Sequence, residues 1–242
     1  MKNTFLQAVS HDLRTPLAAI LGLAITLERT DLDLEESDTQ DLARRIADNA
    51  RKLDRLVANL LDMDRLSRGI VEPKLLVTDL GALVRRSLAE NDLLADSRVQ
   101  TDIAEVLLPL DSAKVERIVE NLLANTSRHT PKGTRVWVRV YRVAEGGMIV
   151  IEDDGPGVAP ELRETIFEPF LQGPEAPQHS PGVGVGLALV RRFSELHGGR
   201  SWVEEREGGG ASFRVLLAAP RGWVDGADPR AGAAVPPGLG RR

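Results

Sequence analysis

The sequence predicts an α plus α/β protein: an N-terminal helical hairpin forming a dimeric four-helix bundle, followed by an α/β sandwich domain. Three observations carry this. Apolar residues recur every three to four positions through roughly the first third of the chain, interrupted by one acidic turn. Gly69 and Pro73 then break the pattern. Beyond them, short apolar runs of strand character alternate with helix patterns.

The first helix is expected over residues 2–30, where Phe5, Leu6, Val9, Leu13, Leu17, Ile20, Leu21, Ala24 and Leu27 share one face. The stretch Asp31–Asp38 (DLDLEESD) reads as a turn. A second helix follows from Thr39 to Leu66, with Leu42, Ile46, Leu53, Leu56, Leu60 and Met63 at coiled-coil-like spacing. Asn49 falls in that seam, where a polar residue can fix register. Each helix of a lone hairpin covers only one face of the other, so pairing two hairpins is the physical expectation.

After the Ser67–Lys74 break, strands are expected at Leu75–Val77, Val99–Ile103, Thr134–Val143, Met148–Asp153, Arg200–Glu204 and Ser212–Leu217. Helices are expected at Asp79–Asn91, Asp111–Arg128 and Val185–His197. Asp79 and Asp111 suit N-caps, Gly198 suits a helix stop, and Gly146–Gly147 suits a hairpin turn. Residues 221–242 are rich in Gly, Pro and Ala and read as a disordered tail.

Composition narrows the function. Hydrophobic residues make up 42% of the 242 positions and aromatics only 4%, so the core is built from Leu, Val, Ile and Ala. With 31 basic and 36 acidic residues the net charge is −5, which argues against nucleic acid as a partner. The chain has no cysteine, which excludes disulfides and Cys-ligated zinc and is compatible with a reducing cytoplasm. No apolar run approaches the roughly 18 residues of a membrane span. This segment is therefore expected to make no membrane contact, while a sensor region upstream, and with it membrane anchoring of the full-length protein, stays open.

Two constellations carry chemistry. Ser10–Pro16 (SHDLRTP) lies inside the first helix, so His11 shares its face with Arg14 and Thr15. Pro16 lacks an N–H and crowds the Asp12 carbonyl, at a cost of about 3 kcal/mol in a helix interior. It is expected to kink or loosen the helix beside His11. A neutral imidazole is a good nucleophile near pH 7, and an adjacent carboxylate can steady the imidazolium. The second constellation has three parts. Asn121 and Asn125 share a helix face with Arg128 in ENLLANTSRHTP, and amide oxygens suit a hard cation while a guanidinium suits phosphate. Asp153 leads DDGPG at a strand end, with Gly155 and Gly157 permitting tight turns. Gly182, Gly184 and Gly186 open a helix at GVGVGL, where free backbone N–H groups suit phosphate; no Walker or Rossmann pattern is present.

SHDLRTPL resembles the H-box of sensor histidine kinases. ENLLAN resembles their N-box, EDDGPGV the G1 box, Phe167 and Phe170 in IFEPF the F-box, and GVGVGL the G2 box. They follow the family's order, and the resemblance spans roughly residues 1–218. It implies that His11 accepts phosphate with Asp12 as acid/base partner, and that Thr15 supports dephosphorylation of a response regulator. It implies that Asp153 reads adenine, that Asn125 and Asn121 hold Mg²⁺, and that Arg128, Gly155, Gly157, Phe167, Gly182, Gly184, Gly186 and Leu187 line the ATP site. Leu171–Pro181 then fits a mobile lid. The implied domains are 1–68 for dimerisation and histidine phosphotransfer, 69–74 as linker, 75–220 for ATP binding and catalysis, and 221–242 as tail.

The implied function is autophosphorylation of His11 from ATP and transfer to an aspartate on a receiver domain, by a cytoplasmic homodimer. Thr126 stands where the family usually has Ala, His129 where it has an aromatic, and Gln172 where many members carry a basic residue. His179 and His197 read as surface or capping residues. A chaperone- or gyrase-type ATPase would have no use for SHDLRTP, and a degenerate kinase scaffold is opposed by the intact Asp153, Asn125 and glycine boxes.

Overall fold

The computed structural model describes residues 2–29, 31, 34–90, 92–169, 184–220 and 223. Helix α1 spans Lys2–Glu28 and helix α2 spans Glu36–Ser67, and the two pack as a hairpin. Helix α1 runs unbroken through Pro16. Helix α2 begins three residues earlier than its apolar pattern, because Glu36 and Asp38 in its first turn favour the positive end of the helix dipole. The expected turn is shorter by that much. Asn49 turns its amide back to the Arg45 carbonyl at 2.8 Å, within its own helix.

The second unit places strands β1 (Leu76–Asp79), β2 (Arg98–Ile103), β3 (Leu107–Leu110), β4 (Arg135–Val143), β5 (Gly146–Asp153), β6 (Arg200–Glu205) and β7 (Ala211–Ala218) among helices α3 (Leu80–Glu90), α4 (Ser112–His129) and α5 (Gly186–Leu196). The main sheet has the order β2-β4-β5-β7-β6; β2 runs parallel to β4 and the other neighbours are antiparallel. Strands β1 and β3 form a separate antiparallel pair. Strand β3 carries Pro109, which lacks an N–H and is tolerated in so short a pairing. The β4–β5 turn falls on Ala144 and Glu145, not on the two glycines, which open β5. Gly147 is needed there because a Cβ would stand 2.7 Å from both Leu80 and Leu108 methyls.

The helices cover one sheet face. Ile118, Leu122, Leu189 and Phe193 meet Val138, Ile149, Ile151 and Leu217 in one core cluster. Truncating any one of the larger chains to Ala would cost about 2–5 kcal/mol. Leu56 belongs to the same cluster, and Val9, Leu13, Leu60, Met63 and Leu66 pack against it, so the hairpin docks on the second unit through apolar contact.

Both predicted caps are used. The Asp79 carboxylate accepts from Gly81 N–H at 2.9 Å, and that of Asp111 from Lys114 N–H at 3.2 Å. Gly198, at φ 66°, ends α5. Of the two readings of His197, capping holds and surface does not: it is the C-cap of α5 and is buried, contacting the Phe193 carbonyl through Nδ1 at 2.7 Å and accepting from Asp111 N–H through Nε2 at 3.1 Å. Trp223, within the segment read as tail, packs on the core and donates to the Leu107 carbonyl at 3.0 Å.

Candidate functional site

Strand β5 ends by delivering Asp153 into a closely built corner. Its carboxylate is 3% exposed and accepts from Gly155 N–H at 2.9 Å and from the backbone of Ala211. Burial pushes its pKa up, against the pull of those two backbone donors. The corner tolerates no extra atom. A Cβ on Gly155 would stand 2.8 Å from both Asp153 Oδ1 and the Thr130 methyl, and one on Gly210 would strike the Asp153 carbonyl. Gly157 needs its positive φ of 75° to pass the Gly210 carbonyl.

Helix α4 supplies the opposite wall. Asn121 and Asn125 are half-buried one turn apart, with Arg128 beyond them. The Asn121 amide donates to the Arg117 carbonyl at 2.7 Å, and a Cβ on Gly186 would lie 2.9 Å from Asn121 Oδ1. The first turn of α5 therefore meets the asparagine face directly. Gly184, at φ 67°, leads into it, and Leu187 is partly buried behind. Phe167 is 2% exposed, with the Arg191 guanidinium 5.8 Å from its ring centroid. Thr126 is buried with its hydroxyl unpartnered among the described residues. Gly182, Phe170, Gln172, His179 and the segment Leu171–Pro181 lie outside the described residues.

These residues fit a nucleotide. A buried carboxylate with two backbone donors fixing it suits an adenine amine, and glycines keep the space beside it and beside Asn121 open. Among the described residues no group of three or more His, Cys, Asp or Glu side chains could hold a metal ion.

Around His11, Val9 and Leu13 of α1 pack against the core cluster to which helix α4 contributes. His11 takes its place in α1, and its side chain lies outside the described residues. Asp12 is 5% exposed, while Arg14 and Thr15 are exposed. Asp12 acts electrostatically on Arg128 of α4 and on Lys52 of α2. Desolvation lowers the Arg128 pKa, Asp12 raises it, and Arg55 lowers it again. Desolvation likewise lowers Lys52, aided by Arg128 and Arg55 and opposed by Asp12. His129 is lowered by burial and then by Arg128.

Sequence reasoning missed Lys52 and Arg55. It also missed the contacts of Asn59 and Asp62 with Lys114 and Arg117, although all of these are plain charged or amide residues on helices. Their spacing alone carries no signal, because Asp12 lies 40 positions from Lys52 and the partners of Asn59 and Asp62 lie 52 or more positions from them along the chain.

A phospho-acceptor hairpin joined to a glycine-lined α/β nucleotide fold defines a two-part kinase core. Residues 1–69 match the His Kinase A (phospho-acceptor) domain, and residues 110–221 match the Histidine kinase-, DNA gyrase B-, and HSP90-like ATPase. The chain belongs to the sensor histidine kinases. Sensor protein KdpD from Mycobacterium tuberculosis is 36% identical over 227 residues, which cover 91% of this chain and 26% of that protein. The chain thus spans about a quarter of the length of this relative. The solved mycobacterial sensor histidine kinase MprB is 31% identical with TM-score 0.52, over 59% of this chain and 97% of that one. Full-length ShkA, solved in complex with AMPPNP, is 26% identical with TM-score 0.60, over 89% of this chain and 46% of that one. Among the described residues no helix is long and apolar enough to cross a membrane.

Proposed function

We propose that this chain is the kinase core that moves the γ-phosphoryl of ATP onto the imidazole of His11. The observation that carries this reading is that buried Asp12, next to the acceptor, acts electrostatically on Arg128 of the helix bearing Asn121 and Asn125, while Val9 and Leu13 beside it pack on the core. It supports a single site shared by the acceptor helix and the nucleotide wall.

Asp153 reads the adenine amine, and Gly155 and Gly157 let the base approach. Phe167 and Leu187 close the apolar side. Arg128 and the backbone at Gly184 and Gly186 take phosphate charge. Mg²⁺, when bound, supplies charge neutralisation across the phosphates, and Asn125 assisted by Asn121 would hold it. A ring nitrogen of His11 forms the N–P bond as the bond from γ-phosphorus to the bridging oxygen breaks and ADP leaves. Asp12 steadies the imidazolium and takes up its proton.

The phosphoryl group then passes to an aspartate on the receiver domain of a response regulator. Thr15, exposed beside the acceptor, supports the reverse duty of helping to hydrolyse the regulator's aspartyl phosphate. The functional unit is a homodimer: Leu17, Leu21 and Ile25 of α1, with Val57 and Leu61 of α2, leave an apolar stripe exposed that a second hairpin would cover. A sensor region elsewhere in the full-length protein would govern this cytoplasmic core.

The test is incubation with γ-labelled ATP. Wild-type chain should take up label that is acid-labile and base-stable, and His11→Gln should take up none while still binding nucleotide. Labelling of His11→Gln at the wild-type rate would refute the acceptor assignment.

A further inference from the structure

The hairpin and the nucleotide domain are joined by a polar clasp as well as by apolar packing. Arg117 Nη2 donates to Asn59 Oδ1 at 2.6 Å, and Asn59 Nδ2 reaches Asn121 Oδ1 at 3.5 Å. Asp62 faces Lys114 Nζ at 3.6 Å and Arg117 Nε at 3.8 Å. Arg117 is braced from its own helix by Glu120 at 3.2 Å, and the Lys114 ammonium sits 5.1 Å from the Phe193 ring centroid. The Asp62, Lys114 and Arg117 side chains are only about a fifth exposed, so these pairs are partly desolvated and less screened than surface ion pairs.

The clasp fixes a register. Helices α2 and α4 run antiparallel along it, since Asn59 lies opposite Asn121 and Asp62 opposite Arg117 and Lys114. One turn up α2 and down the sequence, Arg55 falls level with Asn125, and a further turn brings Lys52 level with Arg128. That is the level of Asp12, which acts on both Lys52 and Arg128. The bonds made at Asn59 and Asp62 therefore hold Asn125 and Arg128 at the height of the acceptor within the same chain. A slip of one residue along the helix axis moves them by about 1.5 Å, and a misplacement of about 1 Å can cost roughly 10²-fold in rate.

We propose that Asn59 and Asp62, through Lys114, Arg117 and Asn121, are positioning residues that dock the nucleotide domain in register for transfer to His11. This rests on the kinase reading above. Leu56, Leu60 and Met63 hold the apolar part of the interface. Loss of the clasp thus loosens alignment without unfolding either unit or touching the adenine corner at Asp153.

The experiment follows initial labelling rates across an ATP titration for the chain carrying Asn59→Ala, Asp62→Ala or both, with a fluorescent ATP analogue reporting affinity separately. The rate at saturating ATP is expected to fall by roughly 10- to 100-fold in the double variant. The KM for ATP and the analogue affinity should stay within about twofold, and Asp62→Glu should recover part of the rate. A rate at saturation equal to or above wild type overturns the proposal, the latter result making the clasp a restraint instead. A rate loss accompanied by an equal loss of analogue affinity also overturns it. Absence of label on the wild type would instead overturn the kinase reading, and the proposal with it.

Discussion

Replacing Asp153 by Asn separates nucleotide recognition from stability. Asp153 is a buried carboxylate whose folded-state pKa lies above its unfolded value, burial being the larger cause. A group raised in this way gives most stability below its unfolded pKa and loses it as pH rises through the folded pKa. Burial penalises the ionised form of Asp153, a cost that a neutral amide does not carry. Against this, Asn has one oxygen for the two backbone donors at Gly155 and Ala211. These effects oppose each other, so the nucleotide-free Tm should move by no more than roughly 4 °C. Binding has no such compensation. An adenine amine donating to a carboxylate makes a charge-assisted bond of about 1.5–3 kcal/mol. The amide's NH₂ cannot replace it if its oxygen stays with Gly155. ATP affinity should drop roughly 10- to 150-fold, measured by calorimetry at pH 7.5 alongside a thermal melt without ATP. An ATP Kd within about threefold of wild type would refute the adenine-reading role of Asp153.

Two further outcomes follow from the packing. The His197 pKa is lowered by burial, opposed by its contact with the Phe193 carbonyl and by Asp111, so its stabilisation is present above its unfolded pKa and is lost as pH falls through the folded value. Thermal melts from pH 8 to pH 5 should show a decline in Tm that His197→Phe flattens, and the variant should lose about 1–3 kcal/mol at pH 8 from the two bonds removed. Leu21→Glu places a carboxylate in the exposed apolar stripe of the hairpin. It should weaken self-association at least ~100-fold by light scattering, while circular dichroism stays unchanged.

The chemistry was easier to read from the chain than the docking. SHDLRTP, ENLLAN, DDGPG and GVGVGL are each contiguous in the chain, the first two inside α1 and α4 and DDGPG at the end of β5. Asp111 and Gly198 were legible as helix ends for the same reason. Strand β3 was not, because Pro109 argues against a strand until its pairing with β1 is known. The start of α2 was obscured because Glu36 and Asp38 resemble a turn until their place at a helix N-terminus is seen. His197, read as a surface or capping residue, does cap α5, but its burial was not legible because it depends on Asp111, 86 positions away. The clasp residues Asn59 and Asp62 were invisible for the same reason: ordinary polar residues gain meaning only from partners brought near by folding.

The anchoring of Trp223 has a practical corollary. It ties the chain's exit to the Leu107 carbonyl, beside the end of β5 where Gly146 pairs with Ala218. Asp153 stands at the other end of that strand, about 23 Å away at the usual rise per residue. A fluorescent reporter fused after Trp223 would begin at the pole remote from Asp153, leaving the corner around that carboxylate open for binding studies on the tagged protein.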